Sequence, residues 1–326
     1  MSEQRTVGVA GASGFVGRHV VRELLARGWS VRALVRDRSK ATRALGRHER
    51  LTMIEGDVES EGTRSELLRG SRACVNCIGI IRETGKTTFQ KMHVGVVRDL
   101  VATCRGAGVK RFVQISALGV WDEGPAAYQK TKFEGEQVLR RSDLSWTILR
   151  PGMILGSGSE FLEMAKGWVR GEKQPWFFLP YFTRGTPISH APLAALRREA
   201  ASLQPVAVED VAWAVGASLD REEAIGEVVN LVGPNVMTWP EFLKTLRDTI
   251  PGGKKELEPL GIPAEIAAMQ AIAAKKIGVG SLFPFDEGMA RMGALESTSE
   301  REKARALLGF EPRAIDTVLK AYAAKA

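Results

Sequence analysis

Cysteine and histidine are scarce in this chain: three of the first and four of the second among 326 residues. Three cysteines do not make a disulfide framework. Cys74 and Cys77 form a C-x-x-C, but they lie in Ala73-Cys74-Val75-Asn76-Cys77-Ile78, which reads as a buried strand. Residues three apart on a strand point to opposite faces, so these thiols should not meet, and core packing is their expected role. The histidines (His19, His48, His93, His190) show no metal-ligand spacing, and no metal site is expected. No apolar run reaches the length of a bilayer span, which excludes a transmembrane segment. The first residues pass straight into an apolar strand, so no signal segment is expected, and the chain reads as a soluble one. Repeats and low-complexity stretches are also missing. The net charge is +8, with basic residues scattered among acids rather than gathered in a block. That distribution suits solubility and an anionic small molecule and argues against a nucleic-acid patch.

What the chain does have is a glycine turn near its start. Val7-Gly8-Val9-Ala10 ends in Gly11-Ala12-Ser13-Gly14-Phe15-Val16-Gly17, and Val20, Val21, Leu24 and Leu25 follow at helical spacing. This is a strand, a tight turn and a helix N-terminus. Orphan backbone N–H groups and the positive end of the helix dipole meet there, which suits a pyrophosphate. Gly11 makes the turn, Gly14 admits the phosphates, and Gly17 lets helix and strand lie close. Ser30–Val35 reads as the next strand, and the segment after it is Arg36-Asp37-Arg38-Ser39-Lys40. An acid at the strand end would hold the ribose 2′-hydroxyl of NAD. Arg36, with Arg38, Ser39 or Lys40 nearby, offers donors for a 2′-phosphate instead, so NADP(H) is expected over NAD(H).

Strand and helix alternate through the first half: 6–10, 15–27, 30–35, 40–46, 51–55, 63–69, 72–78, 87–107, 111–116, 128–141 and 145–149. This rhythm predicts an α/β Rossmann fold, a doubly wound parallel sheet with helices on both faces. Beyond Arg150-Pro151-Gly152 come a helix over 160–172, a mixed stretch over 174–204, Val206-Ala207-Val208, a helix over 209–219 and a strand over 227–232. The tail from 236 to 326 reads as helices and loops. The expected division is a dinucleotide domain of 1–154 plus 205–235 and a smaller, discontinuous substrate or partner lobe of 155–204 plus 236–326. Two apolar stretches, Trp176–Phe182 and Gly261–Ile272, read as core of that lobe, with a substrate wall, membrane contact or partner contact as alternatives.

Five stations along the chain resemble the extended short-chain dehydrogenase/reductase superfamily. They are the Gly11–Gly17 turn, Gly56-Asp57-Val58, Asn76-Cys77-Ile78-Gly79, Tyr128-Gln-Lys-Thr-Lys132 and Arg150-Pro151-Gly152. Cys77-Ile78-Gly79-Ile80-Ile81 with Gly85-Lys86, Ile115–Gly119 and Tyr128–Glu136 resemble a narrower, atypical group, which includes the nucleotide-binding accessory subunit of respiratory complex I and its bacterial relatives. The resemblance implies Asp57 and Val58 at the adenine. It implies Cys77, Ile78 and Gly79 at the ribose and nicotinamide side, Tyr128 and Lys132 along the nicotinamide ribose, and Pro151 and Met153 bordering the nicotinamide.

Tyr128 and Lys132, at i and i+4, share a helical face. A lysine charge beside the phenol would favour the phenolate, and the tyrosine could then move a proton while hydride passes to or from the cofactor. The superfamily's serine or threonine station, which polarises the substrate carbonyl, falls on Ala117, with Ser116 one residue earlier. One residue on strand-like backbone reverses the side chain. The helix asparagine station falls near His93, either a proton relay or a packed helix residue. The favoured reading is an NADP(H)-binding protein with weak or specialised redox activity and an accessory role in a respiratory or quinone-related assembly. It would be cytoplasmic or matrix-like and peripheral to a membrane complex. The alternative is an active NADPH-dependent reductase, dehydrogenase or epimerase on a small or lipid-like carbonyl substrate, with Tyr128 as acid/base, Lys132 beside it and Ser116 as donor.

Overall fold

The computed structural model describes residues 5–187, 196–276 and 285–323. The chain runs β1 (Thr6–Ala10), α1 (Phe15–Ala26), β2 (Ser30–Val35), α2 (Arg38–Leu45), β3 (Leu51–Glu55), α3 (Glu61–Leu68) and β4 (Ala73–Asn76). A π-helical turn (Gln90–Gly95) leads into α4 (Val96–Gly106), then β5 (Arg111–Ile115), α5 (Ala127–Arg140), β6 (Ser145–Pro151) and β7 (Ile154–Leu155). Next come α6 (Glu160–Val169), β8 (Leu179–Pro187), β9 (Leu196–Ala200), β10 (Ser202–Leu203), β11 (Val206–Ala207), α7 (Val208–Asp220) and β12 (Glu227–Leu231). The chain closes with β13 (Met237–Thr238), α8 (Trp239–Thr249), β14 (Pro259–Pro263), α9 (Ala264–Lys276), α10 (Glu287–Gly293), α11 (Glu302–Leu308) and α12 (Ile315–Ala323).

Seven strands form one parallel sheet in the order β12-β6-β5-β4-β1-β2-β3. Side chains alternate across it. Val7, Val9, Val31, Ala33, Val113 and Ile115 face α1 and α7, with Val20, Leu24, Val211 and Val215 packed on them. Ala10, Leu34, Cys74, Phe112 and Ile148 face the other layer, where Leu67, Leu100 and Leu139 cover them. Each face is dry, as a parallel sheet between helical layers requires. Strand order reverses at β1, which pairs with β2 on one side and β4 on the other. The crevice beyond the carboxyl ends of β1 and β4 is the place where such sheets take ligands.

The C-x-x-C behaves as its strand position demands. Cys74 is buried on the α4 face beside Cys104, and Cys77 packs toward the opposite cluster. β4 stops at Asn76, whose amide donates to Gln114 Oε1 at 3.0 Å and whose Oδ1 accepts from the Ile78 N–H at 3.0 Å. That bond turns the chain out of the sheet two residues before the expected end. The expected helix over 87–107 also divides, because its first turn is π-helical. Gly135 explains the close packing there: a Cβ on it would be driven into the His93 carbonyl oxygen.

The mixed stretch over 174–204 carries β8 and β9, and the tail differs from expectation. β14 runs parallel to β8, and β9 antiparallel to it, in a separate three-stranded sheet. Helices and loops alone had been expected of the tail. Pro259-Leu260-Gly261-Ile262-Pro263 has too much proline and glycine to read as a strand, and only pairing with β8 makes it one. The two apolar stretches each divide. Leu179, Ala267 and Ala268 are buried, and Phe182 packs on Phe285, whereas Phe177 is 82% exposed and Met269 69%. So the expected lobe core holds for one half of each stretch and not for the other.

Candidate functional site

The glycine turn is built as its spacing requires. Gly11 has φ +76°, a conformation that a side chain would strain, and its carbonyl accepts the Gly14 N–H at 3.1 Å. A Cβ on Gly17 would be driven into the Gly11 carbonyl oxygen, so this glycine sets the helix–strand approach. A Cβ on Gly14 would meet only that oxygen, at 3.2 Å, and open space lies beyond it. Gly14 caps α1 without a side-chain bond, and the first turn carries no acid. Ser13 and Gly14 are exposed, while Phe15 and Val16 are half-buried. The N–H groups of that turn therefore face an open, positive helix end, which fits a pyrophosphate.

At the end of β2 the cationic cluster divides. Arg38 bonds the Met53 carbonyl at 2.9 Å and stands 3.8 Å from Glu55, so it is committed to β3. Asp37 caps α2 by accepting the Lys40 N–H at 2.9 Å, and the Lys40 ammonium pairs with it at 3.6 Å. The cap bond holds the Asp37 carboxyl below its ordinary value. Arg36 is exposed and makes no ion pair or side-chain hydrogen bond among the described residues. Of the donors offered by the sequence, Arg36 is the cation left free. Asp57 is exposed and accepts the Glu59 N–H at 3.0 Å, while Val58 is buried against Leu34 and Ile54.

Beyond β4, Ile78 lies over the turn: its Cγ1 is 3.0 Å from where a Gly11 Cβ would stand. Lys132 Nζ is 3.0 Å from the Cβ position of Gly79 and donates to the Ile115 carbonyl at 3.2 Å, next to Ser116. It stands 5.9 Å from the Tyr128 ring centroid. Cys77, Gly79, Ser116, Tyr128 and Lys132 thus converge beyond the strand ends. Burial pushes Lys132 down to about 8, against the raising effect of Glu136 and Cys77. Burial likewise pushes the Tyr128 phenol up to about 12 and the Cys77 thiol up to about 12. The Ser116 hydroxyl is buried and has no hydrogen-bond partner among the described residues. Pro151 receives the Leu118 N–H on its carbonyl at 2.8 Å, and Met153 packs toward the α6–α8 cluster.

Three further residues position the site, and of these Glu136 and Arg18 were not foreseen. His93 accepts the Ile80 N–H on Nε2 at 3.3 Å, and its Nδ1 lies 3.0 Å from Thr131 Oγ1. The Thr131 hydroxyl itself donates to the Ala127 carbonyl at 2.8 Å, so Nδ1 carries the proton and donates. Burial holds His93 neutral, down to about 3. Of the two roles open to His93, this geometry is the packed one. Its ring stands at 90° to Tyr128, with ring centroids 5.3 Å apart. Glu136, wholly buried, accepts Arg150 at 2.8 and 2.6 Å through Nε and Nη2, locking β6 to α5. Its place four residues after Lys132 was the one available signal. Arg18 reaches from α1 to the Ser157 carbonyl, a contact between distant segments that no local pattern announces.

A parallel doubly wound sheet with an open glycine turn at its switch point is the architecture of a dinucleotide-binding Rossmann fold. Residues 11–164 match the NAD(P)H-binding family model, and the chain carries that domain. It is 27% identical over 248 residues to the mitochondrial NADH dehydrogenase [ubiquinone] 1 alpha subcomplex subunit 9 of Arabidopsis thaliana, covering 74% of this chain and 57% of that one. It is 30% identical over 152 residues to the ceramide reductase of Caulobacter vibrioides, covering 47% of each. The chain therefore spans just over half the length of the first relative and just under half of the second. In fold it is similar to UDP-glucuronic acid 4-epimerase of Bacillus cereus, solved with UDP-glucuronic acid and NAD, at TM-score 0.70, 17% identity and 97% coverage of both chains. Among the described residues no helix is long and apolar enough to cross a membrane.

Proposed function

We propose that the chain binds NADP(H) in preference to NAD(H) and is a nucleotide-binding, oxidoreductase-like protein with weak or specialised turnover. Arg36 supports the cofactor preference, being the uncommitted cation at the end of β2. The residues that would hold the dinucleotide are Gly11, Ser13, Gly14, Phe15, Val16 and Gly17 at the pyrophosphate and Arg36 at the 2′-phosphate. Asp57 and Val58 would lie at the adenine, and Cys77, Ile78, Gly79, Tyr128, Lys132, Pro151 and Met153 at the ribose and nicotinamide. The bound nicotinamide would supply or accept a hydride.

The observation that carries weak turnover is the commitment of Lys132. Its ammonium bonds the Ile115 carbonyl at 3.2 Å and lies beside the Tyr128 ring, not on its hydroxyl. The phenol stays at about 12, well above neutral pH, so it can donate a proton but is a poor base. An accessory role in a respiratory or quinone-related assembly rests on the likeness to the complex I subunit. Residues 155–204 and 236–326 would form the substrate or partner lobe. Support comes from α10, where Met289 Sδ accepts Arg82 Nε at 3.4 Å and Gly288 lies against Ala126, close to Tyr128.

The second reading, an active reductase or epimerase on a small or lipid-like carbonyl, has its own support. The orphaned Ser116 hydroxyl needs an acceptor, and a substrate oxygen would supply one. NADPH titration together with a carbonyl-substrate screen separates the two. Under the first reading NADPH binds firmly, turnover is slow or undetectable, Tyr128→Phe keeps cofactor affinity and Lys132→Ala weakens it. Brisk turnover that vanishes in Tyr128→Phe establishes the second reading instead.

A further inference from the structure

The N-terminal ends of the central strands, opposite the dinucleotide crevice, border an open cavity of about 380 Å³. Among the described residues Arg5, Lys110, Arg111 and Arg221 line it with Asp220 and Glu222, four cations against two carboxylates. Asp220 is already engaged by Arg5 at 2.9 Å and Arg27 at 3.0 Å. Among the described residues Arg111 meets only neutral acceptors: the Ser145, Ser218 and Phe112 carbonyls at 2.7, 2.6 and 3.3 Å and Thr147 Oγ1 at 2.6 Å. A part-buried guanidinium without a carboxylate is poorly compensated, and burial pushes it down to about 10. Lys110 is exposed and has no ion pair among the described residues. Trp29, which lines the same cavity under the Arg5 guanidinium, is 4% exposed, and its indole N–H has no acceptor among the described residues. A buried donor left unbonded costs about 1–3 kcal/mol unless something accepts it.

We propose that this cavity is a second, independent anion site that takes a small phosphate-class oxyanion, either free phosphate or the head of a phosphate monoester. A dianion matches the excess of cations, and its oxygens accept from the Trp29 N–H, Lys110 and Arg111. Leu219 and Ile225 add an apolar wall that an ester's organic part would cover. The site does not depend on the cofactor assignment, since it stands at the other end of the strands.

The test follows the indole N–H resonances of the ¹⁵N-labelled full chain while inorganic phosphate is added at constant ionic strength. The Trp29 signal is the one missing in Trp29→Phe. It is expected to move saturably, and Lys110→Glu to weaken that response by about tenfold, a charge-assisted hydrogen bond being worth at least that. Lys110 is exposed, so its reversal should leave the other indole signals in place. The response should persist in Gly14→Val. A Trp29 signal that never moves, or a response unchanged by Lys110→Glu, overturns the proposal. So does a response lost in Gly14→Val, because phosphate would then be occupying the glycine turn. Phenyl phosphate distinguishes the sources: tighter binding than inorganic phosphate marks an ester ligand, and equal binding marks free phosphate.

Discussion

Acid should loosen the loop that follows β4 through one residue, His93. It is 3% exposed and accepts the Ile80 N–H only while neutral. Burial and the neighbouring Lys132 charge lower it from 6.5 to about 3. A depressed folded value gives stability that is full above the unfolded value and lost as pH falls below it. The window thus opens near pH 6.5 and runs down toward 3. Each pH unit inside it is worth about 1.4 kcal/mol, so moving from pH 7 to pH 5 removes about 2 kcal/mol. The assay is urea unfolding of the unaltered protein and of His93→Gln at pH 7, 6 and 5. Carboxylates titrate in both proteins, so the quantity to read is the difference between the two stabilities. That difference should shrink by about 2 kcal/mol from pH 7 to pH 5. A difference that stays constant would refute the account of His93 as a buried neutral acceptor.

Arg36→Asp should lower NADPH affinity by about tenfold and reverse or abolish the preference over NADH, since a charged hydrogen bond is lost at an exposed position. Calorimetry with both cofactors checks it, and equal affinities in the unaltered protein would count against the assignment. Gly14→Val should keep the fold and lose the dinucleotide, whereas Gly17→Val should lose the fold itself, because only the second drives a Cβ into the Gly11 carbonyl. Circular dichroism with NADPH fluorescence separates the two outcomes. Glu136→Gln should destabilise the chain by about 3 kcal/mol, because it leaves the Arg150 guanidinium without its carboxylate. It should also lower Lys132 below about 8, so NADPH affinity should fall off at a lower alkaline pH than in the unaltered protein.

The sequence by itself determined the parts whose causes are local. The Gly11–Gly17 turn was legible because glycine spacing encodes a positive φ and a close approach. The succession along the chain of the first six sheet strands was legible because strand and helix patterns alternate with turn residues between them. Cys74 and Cys77 could be separated by strand parity alone. What only the tertiary structure decided are the pairings between distant segments. Arg36 and Arg38 look equivalent in sequence, but β3 brings Glu55 against Arg38 and leaves Arg36 free. Tyr128 and Lys132 share a helical face, yet the Ile115 carbonyl at the end of β5 holds the ammonium. His93 reads as relay or packing until the Ile80 N–H and Thr131 settle its tautomer. Pro259–Pro263 becomes a strand only beside β8. A side chain's charge and reach are written in its identity, but its partner is chosen by whichever acceptor the fold delivers within three ångströms or so, and burial then sets its protonation.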